Sequence, residues 1–354
     1  MNSVLLTVSG VIDPHIEEKI ARGERPMADY LAMAEAFGAD LLDYAIARQS
    51  TGRVGRWLER IGGPDLVLAW ACFTRRHDYQ TCFTDGEQVG LPLALFLKMS
   101  RSRLRHLMIV HILSVRKKMI FLDWFRAQSR IDRFFVYATW QKRFIEERWH
   151  IPAERVVWTP FMVDTDFFSP QKAGQVDLQL GLDHRPVICA VGLEFRDYPT
   201  LLEAVDGLAV NVVIAAASPW SKREDSTTGR KIPENVLVSR FTQFELRELY
   251  ALSDFMVMPL ENVPFQAGVT AILEAMAMGK AVICSKTIGQ TDVIIDGKTG
   301  IYVPPQDVSA LRREIRQLIE QPQETKRMGA AGRELVLQSM NLHAYASRLA
   351  EYVK

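Results

Sequence analysis

Apolar and polar positions along this 354-residue chain fall into two successive series of short apolar runs. In the first, Val4–Val8, Leu41–Ala47, Leu66–Cys72, Leu107–Ile112 and Phe134–Ala138 read as strands, and helical spacing of apolar positions places helices around Met27–Phe37, Val89–Met99 and Met119–Gln128. The second series runs through Val187–Val191, Val210–Ala215, Val236–Val238, Phe255–Met258, Ala281–Cys284 and Ile301–Val303. Strands that alternate with helices in this way predict an α/β protein of two doubly wound domains, each a parallel sheet covered by helices. The polar stretch Ser169–Asp177, broken by Pro170 and Gly174, is the expected linker. The first domain is therefore set at residues 1–168 and the second at 178–338, followed by a helical stretch at 339–354.

Composition narrows the class without naming a function. With 48% hydrophobic and 24% charged residues the chain reads as soluble and globular, and a formal net charge of +1 excludes a general affinity for nucleic acid. Any charged partner has to be read from local clusters. Cys72, Cys82, Cys189 and Cys284 sit in apolar, strand-like runs without metal-ligand spacing, as reduced, buried thiols do. The N-terminus has no basic leader, and no apolar run approaches the roughly 20 residues that span a bilayer. A cytoplasmic protein is expected.

The segment from Phe265 to Ser285 carries the most chemistry. It reads as a loop, a short helix ending at Gly279 and a buried strand, so the unpaired amides of the helix start lie beside Gly268 and suit an anion. Glu274, about two turns in, can accept hydrogen bonds from two vicinal hydroxyls such as those of a ribose. Together these groups describe a nucleotide-sugar pocket.

This segment resembles the donor-site signature of retaining glycosyltransferases of family 4, the glycosyl transferases group 1, in which two glutamates separated by seven residues flank the helix start. Here the second is Glu274 and the first position is Gln266, an amide that donates as well as accepts. The resemblance runs from about Phe134 to Val303 and implies the GT-B fold: two Rossmann-like domains with parallel sheets facing across a cleft. It further implies that the first domain binds the acceptor, that the second binds the donor, and that the last helix crosses back onto the first domain. The expected activity is transfer of a hexose from a nucleoside diphosphate sugar, UDP ahead of GDP, to a hydroxyl of a small-molecule, glycan or lipid acceptor with retention of configuration. Neither a metal nor another cofactor is expected.

Carried onto this sequence, the resemblance gives Gln266 to the transferred sugar and the amides around Gly268, Val269 and Thr270, with Gly192, to the donor. Arg196 matches the family's phosphate-binding lysine when aligned backward from Thr200, whereas the preceding arginine is Leu193 here and the loop is two residues shorter. Phe241 occupies the stretch where the family reads the nucleobase; Gly289 and Gln290, which follow the strand ending at Ser285, are expected to close the sugar side of the cleft. His111 follows an apolar strand, at the end where open α/β sheets bind ligands, and in the family such a histidine reaches the transferred sugar. Structural roles compete with several of these: an Arg196–Asp197 pair, a packing histidine at 111, core packing for Phe241.

Asp85 and Glu87 form a loop before a helix start, either as acceptor contacts or as solvated acids. Asp164-Thr165-Asp166 spells a metal-binding Asp-x-Asp but falls in a turn, which is the reading preferred here. From Lys98 to Arg133, basic residues including Arg101 interleave with aromatic ones. That run is either a solvated face or a surface for an anionic membrane centred on Arg116, Lys117, Lys118 and Trp124, which would make the protein peripheral on the inner face of the membrane. Two rival functions stay open: a catalytically silent GT-B protein that binds a nucleotide or partner, and an inverting enzyme with His111 as base.

Overall fold

The computed structural model describes residues 3–100, 102–216 and 231–353. The chain divides into two compact units, one of Met1–Glu18, Met27–Thr159 and His343–Lys354, the other of Lys19–Pro26 and Pro160–Leu342. In the first, strands β1 (Val4–Val8), β2 (Ala39–Asp43), β3 (Thr81–Thr84), β4 (Arg105–Val110), β5 (Arg133–Val136) and β6 (Val156–Trp158) form a parallel sheet in the order β2-β1-β3-β4-β5-β6. All of β1 is buried, which is why it reads as an unbroken apolar run rather than an alternating one. Helices α1 (Ile16–Ala21), α2 (Asp29–Phe37), α3 (Tyr44–Thr74), α4 (Glu87–Lys98), α5 (Arg116–Asp123) and α6 (Thr139–Trp149) connect the strands.

Three elements differ from the sequence reading. Leu66–Cys72 is helical, part of α3, and so Cys72 lies on a helix whereas Cys82, Cys189 and Cys284 lie on strands. Val67, Leu68, Ala69, Ala71 and Cys72 are all buried, because this part of α3 packs against α4 and the sheet at once and so loses its polar face. The run Leu41–Ala47 is split: β2 ends at Asp43, whose carboxylate accepts from the Ile46 amide at 2.8 Å and starts α3. Helix α5 stops at Asp123 rather than Gln128, and a short 3-10 turn follows at Ala127–Arg130.

The second unit contains β7 (Val187–Val191), β8 (Asn211–Ala215), β9 (Val236–Ser239), β10 (Phe255–Met258), β11 (Ala281–Ser285) and β12 (Gly300–Val303), parallel in the order β12-β11-β10-β7-β8-β9. Its helices are α7 (Tyr198–Val205), α8 (Gln243–Leu252), α9 (Val269–Ala277), α10 (Val308–Glu320) and α11 (Pro322–Ser339). The last helix, α12 (Leu342–Val353), lies almost wholly in the tail that counts with the first unit, where Tyr345 Oη is 3.1 Å from Tyr137 Oη and Arg105 Nη2 donates to Tyr352 O at 2.9 Å.

The boundary between units falls at Thr159/Pro160, upstream of the expected linker. Phe167 and Phe168 are buried in the second core with Tyr250, Met256 and Ala271. The Ser169–Asp177 stretch is tied down as well, since the amides of Gly174 and Gln175 donate to Glu248 Oε2 at 2.6 and 3.1 Å. Each sheet reverses its strand order once, at β1/β3 and at β7/β10, and ligands of open α/β sheets bind beyond the carboxyl ends of strands at such points.

Candidate active site

At the β7/β10 reversal the chain leaves β7 through Gly192, with φ +105°, and the Arg196 guanidinium lies against it: a Cβ added at Gly192 would stand 2.3 Å from Nη2. A side chain at 192 would expel the arginine. Arg196 is buried, with Nε donating to Val191 O at 2.9 Å and Nη1 to Glu194 O at 2.7 Å. Asp197 does not serve as its partner in those bonds; it caps α7, accepting from Thr200 Oγ1 at 2.6 Å and the Thr200 amide at 3.3 Å. The loop after β7 is laced to the one after β10, with the Asp197 amide donating to Pro259 O and the Glu261 amide to Phe195 O. Phe195 and Phe265 close edge-on at 5.0 Å.

Helix α9 begins at Gly268, φ +75°, which provides no side-chain cap to the first-turn amides of Val269 and Thr270. A side chain at 268 would strike Met258 Sδ, 2.7 Å from the Cβ position, so glycine lets the helix start sit directly on the end of β10. Glu274, two turns on, is buried and accepts a hydrogen bond from Tyr250 Oη at 2.8 Å. Burial pushes its carboxyl up to about 7, and the tyrosine's hydrogen bond only partly opposes this. The same tyrosine lies within electrostatic reach of the Arg196 guanidinium, so carboxylate and cation share one neighbour. Tyr250 has no signal in the sequence: a buried residue on α8 reads as packing there.

Gln266 precedes the helix start with its Oε1 buried and without a hydrogen-bond partner among the described residues. Gln290 is wholly buried; its Nε2 donates to Ala267 O at 2.8 Å, which fastens the loop after β11 to the loop before α9. Gly289 allows that approach, because a Cβ there would lie 2.3 Å from Phe265 backbone atoms. Gly192, Arg196, Gly268, Val269, Thr270, Glu274 and Gln266 thus gather around the ends of β7 and β10. Phe241, half-buried, packs on the same core as Phe195 and Phe265, next to the capping box that Thr242 and Glu245 build at the start of α8.

In the first unit the β1/β3 reversal is sewn shut by Asp85. Its carboxylate accepts from Thr7 Oγ1 at 2.7 Å, the Ser9 amide at 2.5 Å and Ser9 Oγ at 2.9 Å, and burial raises its proton affinity. His111, exposed after β4, donates from Nε2 to Asp85 O at 2.9 Å, which leaves Nδ1 as the ring atom without a partner among the described residues. Glu87 corrects the reading of a solvated or acceptor-binding acid. It is buried and accepts from the amides of His111 and Ile112 at 2.8 and 3.0 Å and from Lys118 Nζ at 2.5 Å. Although burial acts to raise its pKa, the charges of His111 and Lys118 carry it below the usual carboxylate value.

Glu87 is therefore a staple for the loop after β4. Its replacement by Ala is expected to cost about 2–4 kcal/mol, because two loop amides lose their acceptor. Urea unfolding measures this, and a loss under about 0.5 kcal/mol would contradict the staple.

The basic run is likewise partly committed to structure. Lys118 pairs with Glu87, Arg130 Nη2 donates to Ser102 O at 2.6 Å, and Arg105 holds the end of α12; Arg101 lies outside the described residues. Arg116, Lys117 and Trp124 are exposed, the last at 81%. Asp164 Oδ1 accepts from the amides of Asp166 and Phe167, a turn arrangement. Among the described residues, no helix is long and apolar enough to cross a membrane.

Comparison with known proteins puts this geometry in context. Residues 187–335 match the family described as glycosyl transferases group 1. A GDP-mannose-dependent alpha-(1-6)-phosphatidylinositol monomannoside mannosyltransferase of Mycobacterium tuberculosis is 27% identical over 100% of this chain and 98% of its own length. The Mycolicibacterium smegmatis protein of that description is 28% identical over 56% of each chain. Among solved structures, sucrose-phosphate synthase from Thermosynechococcus elongatus superimposes with a TM-score of 0.72 at 16% identity, over 99% of this chain and 97% of its own. HepE of Anabaena in complex with UDP-glucose gives 0.74 at 15% identity, over 99% and 98%. A pair of parallel α/β units, a group 1 transferase domain and full-length similarity to a sugar transferase agree in one conclusion: the chain is a glycosyltransferase of the GT-B fold.

Proposed function

We propose that the protein transfers a hexose from a nucleoside diphosphate sugar to a hydroxyl acceptor with retention of configuration and without a resident metal. The observation that carries this is the uncapped start of α9 beside a buried Glu274 at the β7/β10 reversal. In this reading the diphosphate lies on the Val269 and Thr270 amides with Arg196 as counter-charge, and the ribose hydroxyls donate to Glu274. Gln266 Oε1, buried and without a partner among the described residues, receives a sugar hydroxyl. His111 Nδ1 is the first unit's candidate contact to substrate. The bond from the anomeric carbon to the phosphate oxygen breaks, the acceptor oxygen bonds to that carbon on the same face, and the acceptor proton passes to the departing diphosphate. The protein's part is positioning and charge stabilisation.

GDP-mannose is the donor to test ahead of UDP sugars, since the mycobacterial relatives are described as GDP-mannose-dependent. The name of their acceptor, a phosphatidylinositol mannoside, supports a lipid-borne acceptor here, and exposed Arg116, Lys117 and Trp124 fit an anionic membrane surface. A thermal-shift screen of nucleotide sugars, followed by NMR of the product's anomeric proton, tests the proposal. Binding without transfer would leave a silent nucleotide-binding protein, and an inverted product would remove the retaining mechanism.

Gln266→Glu is expected to change the ranking of sugar donors, because a carboxylate accepts where the amide both donates and accepts. Equal responses from all donors would show that residue 266 does not touch the sugar.

A further inference from the structure

Helix α3 is three helical pieces in one. Gly52 (φ 57°, ψ −131°) and Gly63 (φ 74°, ψ −174°) leave helical values and isolate the ten-residue piece Arg53–Gly62. Its residues divide into three stripes. On ideal helix geometry Gly55, Leu58 and Gly62 share an arc of about 60°, as do Val54, Trp57 and Ile61, and as do Arg53, Arg56 and Arg60. In the first stripe Gly55 and Leu58 face the body of the unit, Leu58 being buried and Gly55 approaching Val67 Cγ1 to 3.5 Å of its Cβ position, while Gly62 at the end of the piece is exposed.

The second stripe does the reverse of what an apolar stripe normally does. Trp57 is 60% exposed, Ile61 61% and Val54 47%, side by side on the outward face. The third stripe is exposed and wholly cationic. Glu59, the piece's one acid, is engaged by Arg48, with Nη2 and Oε1 2.8 Å apart, so the piece itself offers its arginines no unpaired negative charge.

We propose that Arg53–Gly62 is an interfacial helix that docks the first unit on an anionic lipid surface. Trp57, Ile61 and Val54 enter the boundary between headgroups and acyl chains while Arg53, Arg56 and Arg60 meet lipid phosphates. A tryptophan on the apolar edge is suited to that depth, with a ring that is part apolar and part hydrogen-bonding. Three adjacent arginines favour an anionic membrane over a second copy of this chain, whose equivalent face would carry the same charges and repel them. The proposal deepens the lipid-acceptor reading by naming the element that meets the lipid. It also predicts an attachment separate from the exposed Trp124.

Co-sedimentation of the full-length protein with vesicles tests it, using phosphatidylcholine alone or with 30% phosphatidylglycerol as roughly a biological anionic fraction. Wild type should pellet with the anionic vesicles at low salt and much less with the neutral ones. The double variant Trp57→Ser, Ile61→Ser and the triple variant Arg53→Gln, Arg56→Gln, Arg60→Gln should each lose at least about tenfold in partitioning, each arginine near the leaflet being worth about fivefold. All five side chains are exposed, so thermal melts should match wild type. Vesicle binding requires neither donor nor acceptor, so its failure is distinct from failure of the transfer reaction. Undiminished pelleting of both variants, or loss only in a Trp124→Ser control, would overturn the proposal. So would concentration-dependent dimerisation that the Trp57→Ser, Ile61→Ser variant abolishes, since it would make this face a protein interface.

Discussion

Exchange of Glu274 for Gln is expected to weaken nucleotide-sugar binding about 10- to 100-fold at pH 8, the loss of a charge-assisted hydrogen bond, and to flatten its pH dependence. The sign follows from burial. Free carboxyl groups titrate near 4.5, and in the folded protein Glu274 does so at about 7, because its charged form has left water. Between those values the native state holds a proton that the unfolded chain does not. The stability this group contributes is complete below about pH 4.5 and is lost as pH rises through 7, by up to about 3 kcal/mol. Ribose hydroxyls that donate to Glu274 require the ionised form, so donor affinity of the wild type should climb with pH until about 7 and then level off. Below that plateau each donor bound should release a proton.

Gln keeps the shape and an acceptor for Tyr250 but cannot ionise. The variant should therefore bind weakly at every pH and be more stable than wild type at pH 8. Calorimetry in buffers of different ionisation enthalpy, with urea melts beside it, measures both. Unchanged affinity in the Gln variant, or wild-type affinity that falls as pH rises, would remove Glu274 from the donor site.

Glu274 was legible in the sequence because everything that suggests its role is local: a glycine, a helix start and a carboxylate lie within one short segment. The strands β7, β8, β10 and β11 were legible for a similar reason, each being a fully buried apolar run punctuated by turn residues. The partners of Glu274 and Glu87 were not. Tyr250 stands 24 residues from the carboxylate it holds, and Glu87 is filled by amides 24 and 25 residues on, so a buried staple looked like a loop acid. Helix α3 was misread at Leu66–Cys72 because a helix enclosed on nearly all sides has no periodicity left to show. The start of its last piece was nonetheless written in Gly62-Gly63-Pro64, two glycines that break one helical piece and a proline suited to the first turn of the next. The surface of Arg53–Gly62 escaped notice since its apolar residues, taken alone, match a core-facing stripe; only exposure separates the two.

Arg196→Lys is expected to lower turnover about 100- to 1,000-fold while donor affinity changes less than tenfold. The arginine is buried and desolvation lowers its pKa, but a guanidinium stays charged at neutral pH. Val191 O and Glu194 O fix the plane of the guanidinium before any donor arrives, so no reorganisation is needed when charge appears on the departing diphosphate. The diphosphate is already a dianion in the bound donor, but the further negative charge it gains as the anomeric bond breaks exists only in the transition state, and burial of the guanidinium strengthens the attraction where it matters for rate. Lysine preserves the charge but not the fork. Its single nitrogen cannot satisfy both carbonyls and still face the leaving group. The Phe195–Phe265 contact and the backbone bonds to Pro259 and Phe195 should hold the loop in place, so the variant should fold and bind. Single-turnover rates and calorimetric Kd separate the two effects. Equal losses in rate and affinity would make Arg196 a plain binding residue, and a rate within about threefold of wild type would make it a loop staple with no part in catalysis.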